Sequence, residues 1–397
     1  VSGTPRPGRL SLVLSGGGIT GAMYEFGALQ AFNHFFADGF TVNDFDIYVG
    51  TSGGAVVAAL ASNGVPPAEV ARAIIHNTES ELNFRQTDIL HVDWQAIRDA
   101  LRRAVRMIPS LVRFYRRNPK SFSVARLLYT LEENLPPGIY SLVKYQAYLR
   151  RLLTRPGCVN AFEDLKRELY ISAVQLDTGE RVLFGAPGWR DVPISDAIAA
   201  SSALPLYFQP VTIHGLDFVD GGVGRVAHVD VPIERGSHFQ VLINPIIPLR
   251  NEEGLVCIPT FSGHCARIRE KGVTFVVDQT QRISTHEKLK LGVERFRAQH
   301  PETRIFVIEP PRGDSVLFME NILNYGSRVA MLNYGYRSTA RLLRAHFETY
   351  RQAFAAYGIR VSLEGLREDN PWEPTDEARH PGEAPDGGAA SGAGVVR

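Results

Sequence analysis

Three short glycine-flanked segments hold the residues whose types and spacing could do chemistry. The first is Ser15-Gly16-Gly17-Gly18. Successive glycines allow backbone conformations closed to other residues and leave their N–H groups unshielded. At the start of a helix such groups form an anion site, suited to a phosphate or to the developing oxyanion of acyl transfer. The second is Gly50-Thr51-Ser52-Gly53-Gly54. It matches G-x-S-x-G, a sharp strand-to-helix turn that exposes a serine Oγ, with the following N–H, here of Gly53, aimed at the same reacting centre. The third is Asp220-Gly221-Gly222, directly after Phe218-Val219. An acid at a strand end followed by two glycines can aim a carboxylate into a site, although the same residues also suit an Asx turn. Together the three read as oxyanion site, nucleophile and base, the parts of a serine hydrolase.

The order of these parts narrows the class. In the α/β-hydrolase order an acid and then a His follow the nucleophile. The elbow there comes after several strands, whereas only two can precede Ser52, and the glycine turn lies just 34 residues before it. His264, His286, His300 and His346 come late enough to complete a triad, but none sits in a matching motif. A more specific pattern is carried by four ordered blocks: Ser15-Gly16-Gly17-Gly18 with Gly21, Gly50 to Gly54, Ala200-Ser-Ser-Ala-Leu-Pro205 with Phe208, and Asp220-Gly221-Gly222. Over roughly residues 8–245 the chain resembles patatin-like phospholipases. That resemblance implies a three-layer α/β/α fold with a mainly parallel sheet and hydrolysis of lipid acyl esters by a Ser–Asp dyad. It implies Ser52 as nucleophile, Asp220 as base and the N–H groups of Gly17 and Gly18, with Gly53 assisting, as oxyanion hole. Ala200–Pro205 would line the site. Neither a metal nor a cofactor is implied. Two positions depart from the family pattern. Thr20 stands where a basic residue is usual, so a phospholipid headgroup preference is not implied. The usual Asn-x-Pro after the aspartate is replaced by Val223 to Pro232, which contains His228, open as an unusual partner of the site but more readily a surface or capping residue.

The surrounding elements must position these segments. Leu10–Leu14 reads as a buried strand and Ile19–Phe36 as a helix, with apolar residues three and four apart. Phe45–Val49 is a second strand and Ala55–Ala61 a second helix, so the sheet is parallel and covered by helices. Residues 80–155 read as a helical insertion. There Trp94, Ile97, Leu101, Val105, Ile108 and Val112 form an apolar stripe, against seven arginines between Arg98 and Arg117. Pro109 suggests a kink or boundary. A basic amphipathic helix over 94–117 suits peripheral contact with a membrane surface, a lid, or a core-facing helix with a solvated back. Strands return at Glu168–Leu176, Arg181–Phe184, Phe208–Ile213, Leu216–Val219, Phe239–Ile243 and Arg304–Ile308, with a helix from about Thr280 to Gln299. The expected division is a hydrolase core of 1–79 and 156–315, the insertion 80–155, C-terminal helices 316–367 with a heptad-like stripe from Tyr336 to Tyr357, and a disordered tail 368–397.

Composition excludes several classes. In 397 residues, 43 basic side chains balance 42 acidic ones, so no global excess favours nucleic acid. Three cysteines are too few for a disulfide scaffold. A Cys257–Cys265 bridge is open in principle, but reduced thiols in a reducing compartment are the expectation. No apolar run is long enough to span a membrane, and Leu10–Leu14 is too short for a signal peptide's core. These features suggest a cytoplasmic protein, with membrane contact at most peripheral. Gly16 to Gly21 also matches the G-x-G-x-x-G of nucleotide-binding folds, but Gly50-Thr51-Ser52 stands where the ribose-binding acid belongs. A lipid acyltransferase using the same dyad, and a catalytically idle membrane-associated scaffold, are the remaining alternatives.

Overall fold

The computed structural model describes residues 8–118, 123, 134–225, 227–251, 257–259, 264–311, 315–367 and 371–372. Strand β1 (Arg9–Leu14) turns through the glycines into α1 (Gly18–Phe35), and β2 (Ile47–Thr51) turns through Ser52 into α2 (Gly53–Ser62). The chain continues through α3 (Pro67–Ile75), α4 (Gln86–Ile89), β3 (His91–Val92), α5 (Trp94–Arg117), β4 (Gly138–Ser141) and α6 (Val143–Leu153). Then come β5 (Glu168–Gln175), β6 (Arg181–Phe184), α7 (Ile194–Ser201), β7 (Leu206–Phe208), β8 (Val211–Ile213), β9 (Leu216–Asp220), α8 (Asp230–Glu234) and β10 (Ser237–Ile243). The last elements are β11 (Ile258–Pro259), β12 (Cys265–Ala266), α9 (Val273–Gln299), β13 (Arg304–Ile308), α10 (Val316–Met319), α11 (Arg328–Ala345) and α12 (Phe347–Ala355).

The central sheet has the order β13-β10-β1-β2-β5-β9-β8, with β6 also paired to β5. Its first five strands are parallel, and β6 and β9 run antiparallel to β5. Because side chains alternate along a strand, the sheet feeds two cores. Leu10, Leu12, Leu14, Tyr48, Phe239 and Val241 face α1, α2 and α11. Val13, Ile47, Val49 and Leu242 face Leu289 and Val293 of α9. The result is the expected three-layer α/β/α fold with a mainly parallel sheet.

Several local expectations change. The span 80–155 is not purely helical: β3 and β4 join β7 in a small three-stranded sheet. Such two- to four-residue strands are too short to leave a periodic signal. Tyr145, Tyr148, Leu149 and Leu152 of α6 are buried in the main core. Pro109 lies inside α5 and does not end it. The expected strand 208–213 is split into β7 and β8, and the C-terminal stripe is divided at His346 between α11 and α12. Cys257 and Cys265 are disulfide-bonded, with Cα atoms 4.9 Å apart. The expectation of three reduced thiols is therefore corrected, and the inference of a reducing compartment drawn from it falls. The antiparallel β11–β12 pairing, with Pro259 opposite Cys265, brings the two cysteines together in a way that counting cysteines cannot reveal. Pro371 and Trp372, inside the span expected to be structureless, are held: Trp372 is buried and its Nε1–H donates to Asn333 Oδ1 at 2.8 Å. The rest of the expected tail, 368–370 and 373–397, lies outside the described residues.

Candidate active site

Strand β5 has two edges. Along Ile171–Val174 one edge is taken by β6, so β2 and β9 share the other. β2 ends with Thr51 opposite Ser172, and β9 ends with Asp220 opposite Ala173. The two strands approach from opposite directions, and their last residues meet head to head. Ser52 and Asp220, 168 positions apart in sequence, thus stand side by side.

Ser52 has φ 54 and ψ −127, a conformation that costs about 1–3 kcal/mol for a non-glycine residue. Its surroundings enforce it. The Ser52 N–H donates to Ser201 Oγ at 2.8 Å. Thr51 Oγ1 lies 2.9 Å from Ser172 Oγ. A Cβ on Gly54 would come within 2.6 Å of Leu14 O, so the glycine lets the start of α2 close onto the end of β1. Asp220 is buried. Its N–H donates to Ala203 O at 3.0 Å, and its Oδ1 accepts the Gly222 N–H at 2.7 Å. Burial pushes its carboxyl up to about 6, opposed by hydrogen bonds from the Ser52 side chain and Gly222. Ser201 therefore fixes the Ser52 backbone and Ala203 fixes that of Asp220. The block 200–205, expected only to line the site, ties its two halves together.

Gly16, Gly17 and Gly18 all have positive φ, at 84, 113 and 64. Three such residues in succession sweep the backbone round at the end of β1. Among the described residues, no hydrogen-bond partner satisfies the N–H groups of Gly17, Gly18 or Gly53. Gly21 closes the turn by donating to Gly17 O at 3.0 Å. Glu25, which the sequence reading overlooked, braces the loop from below. It is fully buried, and its Oε1 accepts the Gly16 N–H at 2.9 Å. Burial raises its pKa well above the ordinary carboxylate value, opposed by the hydrogen bond from the Gly16 N–H. A signal was present: Glu25 is the single Asp, Glu, Lys or Arg in α1.

Beside Ser52 lies a pocket with about 820 Å³ of empty volume. Its lining is almost wholly apolar, including Met23, Phe26, Leu60, Val70, Ile74 and Phe208, and Gly18, Ser52 and Gly53 also line it. No histidine and no charged residue lines it. His228 lies elsewhere and is not a surface residue. It is buried, with Nδ1 3.1 Å from Arg181 Nη1, and burial and that arginine lower its pKa to about 3. His286 pairs with Glu309 and His300 with Glu302. Thr20 is buried in α1, and its N–H points to Ile322 O.

A strained serine elbow on a helix-covered parallel sheet, opening onto an apolar pocket, defines an esterase–lipase type of α/β protein. The chain belongs to the patatin-like phospholipase family, whose model matches residues 12–233, more than half of its length. No curated protein matches it. Among solved structures it is similar to VipD from Legionella pneumophila, at 13% identity and a TM-score of 0.35, covering 86% of this chain and 68% of that one. It is also similar to ExoU from the type III secretion system of Pseudomonas aeruginosa, solved in complex with SpcU, at 16% identity and a TM-score of 0.31. That match covers 88% of this chain, which spans 63% of the ExoU-complex chain. No described helix is long and apolar enough to cross a membrane.

Proposed function

We propose that the chain is a serine lipid acyl hydrolase of the phospholipase A or lysophospholipase type, working through a Ser52–Asp220 dyad. The observation that carries this reading is the head-to-head meeting of β2 and β9 beside an apolar pocket. Ser52 Oγ attacks the ester carbonyl while Asp220 takes its proton, and the alcohol leaves with that proton. Water, deprotonated by the same carboxylate, then attacks the acyl-enzyme; the fatty acid leaves and Asp220 returns the proton to Ser52 Oγ. An aspartate of ordinary pKa is a weak base at neutral pH. Raised to about 6, it is better matched to the task. The oxyanion would sit on the N–H groups of Gly17 and Gly18, with Gly53 assisting; removing one such donor typically costs about 3–4 kcal/mol of transition-state stabilisation.

Helix α5 supports action at a lipid surface. Trp94, Leu101, Val105, Ile108 and Val112 recur along one line of the helix and are more than half exposed. Arg98, Arg102 and Arg116 flank that line and are exposed too. A core-facing helix would bury the line. Apolar side chains beside arginines suit contact with an anionic membrane. The test compares wild type, Ser52→Ala and Asp220→Ala on 4-nitrophenyl butyrate and on phospholipid vesicles, with folding checked by circular dichroism. Both folded variants should lose at least about 10³-fold in kcat. Activity surviving in Ser52→Ala would sink the nucleophile assignment.

A further inference from the structure

The stretch Ile322–Arg328 lies outside the matched residues 12–233, yet Ile322 and Leu323 line the pocket beside Ser52. The Ile322 carbonyl accepts the N–H groups of Ile19 at 2.7 Å and Thr20 at 3.3 Å, donors in the first turn of α1. A Cβ on Gly18 would collide with that carbonyl. This end of the stretch is therefore seated on the helix start that carries the candidate oxyanion donors. The other end is latched. Tyr325 Oη donates to Phe84 O at 2.9 Å, and the Phe84 and Tyr325 rings meet edge-on at 5.5 Å. The Arg328 guanidinium lies 3.6 Å from the Tyr325 ring centre and 5.2 Å from that of Phe84. Its Nη1 donates to Asn83 Oδ1 at 3.0 Å. Phe84 itself lines the pocket, so the latch joins two segments of its wall that are 241 positions apart.

We propose that Ile322–Arg328 is the specificity wall of this pocket, with Leu323 setting the acyl-chain length that fits and Arg328 acting as a positioning residue that holds the wall in place. The inference rests on the acyl-hydrolase reading above. Each methylene of a bound chain gains free energy only where apolar wall replaces water, so the reach and bulk of the wall select chain length. A wall already latched spares the ordering entropy a free loop would lose on binding. An arginine stacked on two rings and hydrogen-bonded between them is a strong latch because its charge is partly desolvated.

The test uses full-length protein and a series of 4-nitrophenyl esters from butyrate to laurate. It is paired with calorimetric binding of dodecanoate in a Ser52→Ala background. Leu323→Trp should shift the laurate-to-butyrate ratio of kcat/KM toward butyrate by roughly tenfold, and Leu323→Ala should shift it toward laurate. Opposite shifts at one position cannot come from general destabilisation. Arg328→Gln should raise KM for laurate by roughly fivefold, and more than it lowers kcat. Unchanged chain-length profiles in folded variants, with hydrolysis intact, would overturn the wall and leave the hydrolase reading standing. Dodecanoate binding that follows the Leu323 variants without any hydrolysis would keep the wall and overturn the hydrolase reading. Neither binding nor hydrolysis would overturn both.

Discussion

Replacing Asp220 by Asn should abolish turnover and, at alkaline pH, stabilise the fold. The cause is the burial of the carboxylate, the same feature that suits it to the proposed role of base. In the folded protein its pKa is raised from 3.8 to about 6, whereas in the unfolded chain it ionises near its ordinary value. Between those two values the folded state keeps a proton that the unfolded chain has released. Stability from this group is therefore lost as pH rises from about 4 to about 6, and stays lost above. Two units of raised pKa correspond to about 3 kcal/mol. Asp220→Asn keeps the volume and a carbonyl oxygen for the Gly222 N–H but has no charge to desolvate. Urea unfolding of wild type and variant at pH 4.5 and pH 8 isolates the effect, because every other titrating group is common to both. The variant should gain about 2 kcal/mol on wild type between the two pH values. The matching kinetic signature is a wild-type kcat/KM that rises with pH to a plateau, with a midpoint near the raised pKa. A stability gap that does not change with pH, or a midpoint near the ordinary aspartate value, would refute the picture of a desolvated base.

Two further outcomes follow from the site and its flanks. Glu25→Leu, which removes the acceptor of the Gly16 N–H, should lower kcat roughly ten- to hundredfold more than Glu25→Gln, which retains a carbonyl oxygen there; steady-state kinetics with melting curves decide this, and equal kcat values would exclude the bracing role. On α5, Leu101→Asp with Val105→Asp should weaken co-sedimentation with anionic vesicles at least tenfold, since it puts charge on the apolar line, and added salt should weaken wild-type binding through the arginines. Vesicle binding that ignores both perturbations would remove the helix from the lipid contact.

Much of the site was legible in the sequence because its parts are local. The Gly16–Gly18 run, the G-x-S-x-G turn and the Asp220-Gly-Gly end each need particular residues at consecutive positions, since their backbones take conformations or approaches that other residues resist. The strand–turn–helix repeat around them announced a parallel, helix-covered sheet, because strands buried on both faces must be apolar throughout. The amphipathic character of 94–117 was readable from apolar residues recurring three and four apart, but which face meets solvent was not. What only the tertiary structure decided depends on residues far apart in the chain. Periodicity says nothing of which edge of β5 a strand takes, so the meeting of β2 and β9 that joins Ser52 to Asp220 could not be read. Nor could Ser201 be seen holding the Ser52 backbone, or Ile322 closing a pocket some three hundred residues from the glycines it touches. Each is a single long-range contact made by an ordinary residue type, and its partner is chosen by packing, not by local pattern.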